Sequence, residues 1–289
     1  MTIAITVKVT DGLVMAADSA TTIGDTVSGN VYNNAEKVFN LHKGARVACA
    51  YWGLANVGLA SMAGLLKDLR HRLTNGDKNT KLDPNKYTVE EVATKVKQFL
   101  YSEKYRPWCE EAGEDFPKDK WPYFGMFIGG YSSGADRAEV WRLDINVAGE
   151  AELKRASGPE LATGLLWGGD AQAIQRLVLG FDGRFPKRMV DELKLGDGSD
   201  GRVSEKDFLD AVGRVGEGME ANILAPWMPI QDAIDLAHFL VDTAAKYSRY
   251  TPGYQTIGGP IDIAAITKYE GFRWVRRKHY FDAALNPRP

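Results

Sequence analysis

Thr2-Ile3-Ala4-Ile5-Thr6-Val7-Lys8-Val9-Thr10-Asp11-Gly12-Leu13-Val14-Met15-Ala16-Ala17-Asp18 follows the initial Met1. Ile3, Ile5, Val7 and Val9 alternate here with Thr2, Ala4, Thr6 and Lys8, the period-two pattern of a β-strand. Asp11-Gly12 is a strong hairpin signal, because the tight turn needs residues that tolerate positive φ. Leu13 to Ala17 then reads as an apolar return strand. Such a hairpin brings Asp18 back beside the start of its own first strand. Thr2 and Asp18 are therefore expected to be neighbours from local chain geometry alone.

Outward from this hairpin the pattern stays mixed. Residues 19–34 are rich in Thr, Gly, Ser and Asn and read as a loop. A second hairpin is predicted from Lys37 to Leu41 and Arg46 to Trp52, turning at His42-Lys43-Gly44. Leu54, Val57, Met62, Leu65, Leu66, Leu69 and Leu73 recur mostly at three- and four-residue spacing, which predicts an amphipathic helix ending at Asn75-Gly76. Thr88-Val89-Glu90-Glu91 has the form of a capping box and opens a second helix through Phe99. Residues 102–122 look irregular. Strands are predicted over Tyr123 to Gly130, Ala138 to Ile145 and Ala151 to Ala156. The run Leu165 to Trp167 leads through Gly168-Gly169-Asp170 into a helix ending near Leu179, where Asp170 reads as a helix N-cap. Residues 180–228 read as a further insertion, Ile230 to Ala244 as a long helix, and Ile261 to Thr267 as a strand. Two groups of antiparallel strands with helices between them predict an α+β fold: a four-layer αββα sandwich with two sheets face to face and helices outside. The expected organisation is one domain, residues 1–289, with insertions near 75–122 and 180–228.

Chemistry focuses on the front of the chain. A threonine at position 2, taken alone, is a small residue that permits methionine removal. Its hydroxyl is a poor nucleophile and needs a nearby base. Once Met1 is removed, Thr2 carries its own α-amine, whose reference pKa of about 7.7 leaves a neutral fraction near pH 7. A nearby cation lowers the pKa of both groups, and a carboxylate holds that cation in place. Asp18 and Lys37 supply those two charges.

With Thr2 to Asp18-Ser19, and with Asn34-Ala35-Glu36-Lys37-Val38 before an apolar strand and a Gly-containing turn, the chain resembles mature proteasome β-subunits and the bacterial HslV peptidase. Those families begin with threonine and place an aspartate sixteen residues later, the separation of Asp18 from Thr2. Lys37 lies about three residues further along than the family lysine, which one longer loop within 22–33 explains. The resemblance implies the N-terminal-nucleophile hydrolase fold. It implies Thr2 as nucleophile and, through its amine, base, with Lys37 as the cation and Asp18 as the orienting carboxylate. It also implies an oxyanion hole from backbone N–H near Trp52-Gly53, where relatives are richer in glycine. Around the site it points to Ser19, to Gly169 and Asp170 in the turn where the family carries a serine, and to Thr256. The loop Tyr254-Gln255-Thr256-Ile257-Gly258-Gly259 lacks the aspartate the family has there. The resemblance is strong over residues 2–58, loose around 123–180 and 230–267, and does not extend to the insertions.

The expected activity is a threonine-type peptidase acting through an acyl-enzyme ester on a peptide or protein substrate. The alternatives are a small-molecule amidase, acylase or transpeptidase of the same fold, and a catalytically silent scaffold. The resemblance further implies a homo-oligomer, a ring or related assembly, and an ATP-driven unfoldase as a candidate partner. No cofactor and no metal are expected. With a formal net charge of -2, no basic surface advertises nucleic acid. No apolar run approaches the ~18 residues of a membrane span, and the N-terminus lacks the basic and apolar regions of a signal peptide. The two cysteines, Cys49 and Cys109, read as reduced thiols, and the expected location is the cytoplasm.

Weaker signals have plain readings. Residues 196–207 have the rhythm of an EF-hand loop, but glycine occupies the first ligand position, so a solvated turn is expected. His238 stands without a second ligand at helical spacing. Arg273, Arg276, Arg277 and Lys278 read as a solvated face or strand edge. Tyr105, Trp108, Phe116, Trp121 and Tyr123 read as the packing of an added lobe or as an interface.

Overall fold

β1 (Ile3–Val9) and β2 (Gly12–Ala17) pair antiparallel, with Ala4 opposite Ala17 and Val9 opposite Gly12. Space at position 12 is tight, since a Cβ there would lie 2.8 Å from Ile230 Cδ1 and 3.0 Å from the Ile266 carbonyl oxygen, and glycine avoids both contacts. The structure is a computed structural model describing residues 2–23, 30–111, 113, 117–146, 149–197, 203–253 and 255–281. Contacts divide the chain into two compact units, residues 1–170 with 224–289, and residues 171–223.

In the larger unit the hairpin is the centre of a sheet. β12 (Gly164–Gly169) pairs with β1, β13 (Asp262–Thr267) with β2, and β14 (Gly271–Arg276) with β13, all antiparallel. A second five-stranded antiparallel sheet contains β5 (Val38–Asn40), β6 (Val47–Gly53), β9 (Phe124–Gly130), β10 (Glu139–Ile145) and β11 (Ala151–Ser157), in the order β11-β10-β9-β6-β5. Helix α7 (Ile230–Tyr250) packs on β1, β2 and β13, and α2 (Val89–Lys97) packs on β9, β10 and β11. Between the sheets, Ala4, Leu13, Met15 and Ala17 meet Ala48, Ala50, Trp52, Phe127 and Val140. This is the predicted α+β sandwich of two antiparallel sheets with helices outside.

Both faces of β1 are buried, including its polar one. Thr6 and Lys8 lie on the Ala4 side, which the second sheet covers, and Lys8 Nζ donates to the Gly158 carbonyl at 2.6 Å. Burial pulls the Lys8 pKa down from 10.5 to about 8, because the charged form loses its water.

Several local expectations change. The stretch read as the start of a helix at Leu54 instead folds as a small hairpin, β7 (Asn56–Val57) and β8 (Ala60–Ser61). The Asn56 amide bonds the Gly58 carbonyl at 2.7 Å, and Gly58 takes φ +57, so local turn chemistry overrides the apolar spacing. α1 (Met62–Asn75) begins only after Ser61, whose Oγ accepts from Gly64 N at 3.1 Å. Residues 19–34, read as a loop, contain the paired β3 (Thr21–Ile23) and β4 (Asn30–Tyr32). Thr88 caps α2 as predicted, but the helix does not stop there. It widens into a π-helical segment (Gln98–Tyr105) and continues as α3 (Arg106–Glu111), so much of the stretch read as irregular is helical. The wide turn falls where Pro107 supplies no N–H and its ring would crowd the preceding turn. Tyr105 packs edge-on against Trp108 and Trp121, at centroid distances of 6.2 and 6.1 Å; Phe116 lies outside the described residues. The basic C-terminal cluster starts on β14, the edge strand of its sheet, as the strand-edge reading expected, and there Arg276 Nη1 lies 2.9 Å from His238 Nε2.

The smaller unit is helical: α4 (Gln172–Leu179), α5 (Phe185–Leu193) and α6 (Glu205–Met219). Two of these helices lie where only short apolar pieces were expected. The N-cap of α4 is Ala171, without a side-chain bond, so Asp170 is not the cap its position suggested. Of the EF-hand-like stretch, residues 198–202 lie outside the described residues, and Asp207 sits in the first turn of α6, its N–H donating to Ser204 Oγ at 3.1 Å.

Candidate active site

Thr2 stands just before β1, Asp18 just after β2, and Lys37 just before β5 on the opposing sheet. The first two are brought together by the hairpin register, the third by the stacking of the sheets. The Tyr51 amide, on the neighbouring strand β6, donates to the Lys37 carbonyl at 3.1 Å and fixes where the lysine side chain starts. Lys37 Nζ then donates to Thr2 Oγ1 at 2.7 Å, to Asp18 Oδ1 at 2.8 Å, and to the Ala20 carbonyl. All three side chains are buried.

Asp18 is saturated with donors. Its Oδ1 accepts from Ile3 N at 3.1 Å as well as from Lys37, and its Oδ2 accepts from Ala20 N and Gly258 N, both at 3.0 Å. The carboxylate thus ties the start of β1, the residue after Ser19 and the loop after α7 to one point. Burial lowers the Lys37 pKa, since desolvation disfavours the ammonium. The Asp18 charge and hydrogen bond oppose that shift, and the Lys278 ammonium adds to it.

The turn at Gly169-Asp170 lies against Thr2. Asp170 N donates to the Thr2 carbonyl at 2.8 Å, while Gly169 has φ +91 and a Cβ there would fall 1.9 Å from the same oxygen. Only glycine allows this approach. Trp52 and Gly53 end β6. The indole is fully buried between the sheets and its Nε1 donates to Tyr123 Oη at 2.9 Å. A Cβ on Gly168 or Gly125 would come within 2.5 or 2.2 Å of that ring, so the glycines opposite make room for a tryptophan where the resemblance leads one to expect glycine. Gly53 has φ +92, with the Tyr123 carbonyl 2.6 Å from a would-be Cβ. Thr256 is held elsewhere: its N–H donates to Ser248 Oγ at 3.1 Å, and it is Gly258 that reaches Asp18.

Ser19 leads to two residues that sequence reasoning did not place at the site, Lys278 and Asp262. Ser19 Oγ donates to the Pro260 carbonyl and accepts from Lys278 Nζ at 2.7 Å. Lys278 Nζ also bonds Asp262 at the start of β13, and Lys278 N donates to the other Asp262 oxygen at 3.0 Å. No sequence motif joins Ser19 to a lysine 259 residues away. A groove of about 840 Å³ runs beside this second pair, lined by Tyr51, Glu36, Lys67, Leu59 and Lys278 among others. Among the described residues no group of three His, Cys, Asp or Glu side chains is placed to hold a metal, and no helix is long and apolar enough to cross a membrane.

No protein-family model matches the chain, and no curated protein does. Among solved structures it is similar to Anbu from Hyphomicrobium sp. strain MC1, solved as a (Gly-1) mutant, with a TM-score of 0.52 and 16% identity. The superposition covers 96% of this chain and 86% of that one. At that identity the likeness is one of fold alone, the sandwich of two antiparallel sheets with helices outside.

Proposed function

We propose that the chain is a threonine-type amide hydrolase acting on peptides, with Thr2 as the nucleophile after removal of Met1. The observation that carries this reading is the buried contact of Lys37 Nζ with Thr2 Oγ1 at 2.7 Å and Asp18 Oδ1 at 2.8 Å. The Lys37 ammonium lowers the proton affinity of the Thr2 hydroxyl, and Asp18 keeps the ammonium aimed. Thr2 Oγ1 attacks the amide carbonyl carbon while its proton passes to the freed α-amine. The C–N bond then breaks, the α-amine returns the proton to the leaving nitrogen, and an ester on Thr2 remains. Water, deprotonated by the same amine, cleaves that ester and releases the acid. Backbone N–H groups near Trp52-Gly53 are the proposed donors to the oxyanion. Ser19, Gly169 and Asp170 position Thr2 and its partners.

The same reading includes a homo-oligomer and residues 171–223 as an elaboration of one domain; an ATP-driven unfoldase remains the candidate partner. The test is intact mass and covalent labelling. Removal of Met1 and a single adduct from a threonine-directed β-lactone or epoxyketone are expected. Thr2→Ala should lose both the adduct and peptide hydrolysis, by a thousandfold or more, as on removing a catalytic nucleophile. Undiminished hydrolysis by Thr2→Ala refutes the mechanism, and an unlabelled, inactive parent protein points to the scaffold.

A further inference from the structure

The charges along the groove are held from behind. Lys278 is only 12% exposed in its side chain, and it lies on the segment that follows β14. Its ammonium has three protons. One goes to Ser19 Oγ and one to Asp262, and the third has no acceptor among the described residues. Lys278 lines the groove, so that proton is available to a ligand there. Ser19 itself is not a second nucleophile, because it is fully buried and its own hydroxyl proton is committed to the Pro260 carbonyl.

Beside Lys278 the balance of charge is positive. Glu36 is one carboxylate shared by two cations, with Lys67 Nζ at 2.5 Å and Arg277 Nη2 at 3.3 Å. Counting Asp262 with Lys278, three cations face two carboxylates, an excess of one positive charge. Within a partly closed groove such an excess acts through a lower dielectric than in bulk water, so it selects strongly. The groove adjoins the Thr2 site through neighbours in the chain, because Glu36 precedes Lys37, Ser19 follows Asp18, and the Tyr51 amide holds the Lys37 carbonyl. Thr2 is not itself among the lining residues, so what occupies the groove is a side group of the substrate rather than its scissile bond.

We propose that the groove receives an acidic acyl group, an aspartyl or glutamyl side chain or its free dicarboxylate equivalent, with the Lys278 ammonium as the group that recognises the carboxylate. This rests on the reading of Thr2 as nucleophile for its catalytic meaning, but binding can be measured without catalysis. A charge-assisted hydrogen bond to a carboxylate gives roughly ten- to a hundredfold in affinity over the neutral amide.

Calorimetry on the full-length Thr2→Ala chain with N-acetyl-glutamate and N-acetyl-glutamine therefore should show the acid binding tighter by at least tenfold. An acetylated peptide with a glutamyl residue, run beside its glutaminyl twin, tells whether the natural source is a polypeptide or a small acid; tighter binding of either acid supports the inference. Lys278→Gln should reduce the acid-to-amide ratio to near one, and Lys278→Arg should retain most of it, which separates charge recognition from a folding defect. Equal affinity for acid and amide, or a ratio unchanged in Lys278→Gln, overturns the proposal. Hydrolysis of glutamyl and glutaminyl amides by the Met1-processed protein then reads the same ratio in kcat/KM. A clear binding preference alongside undiminished Thr2→Ala hydrolysis brings down the nucleophile and leaves the groove assignment standing.

Discussion

Replacing Asp18 by asparagine removes one negative charge from the middle of the buried site and leaves the Lys37 ammonium facing it. In the native protein that carboxylate accepts four hydrogen bonds, from Ile3 N, Ala20 N, Gly258 N and Lys37 Nζ. An asparagine offers one oxygen where two were used, and its NH2 group then confronts backbone donors. Breaking a buried ion pair by deleting one partner costs about 3–5 kcal/mol. The lost acceptor belongs to the same event and keeps the cost at the upper end of that range. Lys37→Met is milder, because Asp18 keeps its three backbone donors. With Asp18→Asn added to Lys37→Met, no ammonium is stranded, so the double variant should lose roughly 2 kcal/mol less than the sum of the two singles. Urea unfolding followed by tryptophan fluorescence reads this directly. With a slope near 3 kcal/mol/M, the Asp18→Asn midpoint should fall by about 1 M or more. A midpoint within about 0.3 M of the parent, or strict additivity in the double variant, would show that the pair is not the coupled, desolvated unit the distances describe.

Gly169→Ala should both destabilise the chain and displace Thr2. The backbone strain alone costs about 1–3 kcal/mol, and the new methyl group would collide with the Thr2 carbonyl, 1.9 Å away. β-Lactone labelling that proceeds at the parent rate in a folded Gly169→Ala protein would contradict this. Lys8 gives a pH signature. Its folded pKa of about 8 lies below its ordinary 10.5, so between those values the unfolded chain holds a proton that the folded chain does not. Stability linked to Lys8 therefore rises with pH across that window, by about 3 kcal/mol at most, and the cost is fully present below pH 8. Lys8→Met should lack this rise, so the parent's stability minus the variant's should climb between pH 8 and 10, on top of a constant offset from the lost bond to the Gly158 carbonyl. Parallel curves for the two proteins would count against a desolvated amine.

The opening hairpin was legible because its information is local. A period-two strand, an Asp-Gly turn and a second apolar run leave one register, and that register alone places Asp18 beside Thr2. The capping box at Thr88 was legible for the same reason, since the Thr88 hydroxyl and the Glu91 N–H it accepts from are only three residues apart. Lys37 was legible as a nearby cation at the start of the next hairpin, and its place in the site only through the resemblance. Its contact with Thr2 needs two sheets to stack, and nothing in residues 34–38 encodes that stacking by itself.

Other features had no local signal. The helix read from Leu54 failed because apolar spacing does not register a side-chain turn at Asn56, and the burial of the polar face of β1 had no signal because alternation does not say what lies opposite. Trp52 looked like a departure at the oxyanion strand until Gly125 and Gly168, 73 and 116 residues further along, turned out to be the space it fills. Lys278 and Asp262 read as surface charge and the first residues of a strand. Sequence alone determined the hairpin, the nucleophile candidate and its carboxylate, because short loops hold them in register. Tertiary structure alone decided that a C-terminal lysine borders the same site, because side chains separated by more than two hundred residues meet only where packed sheets bring their ends together.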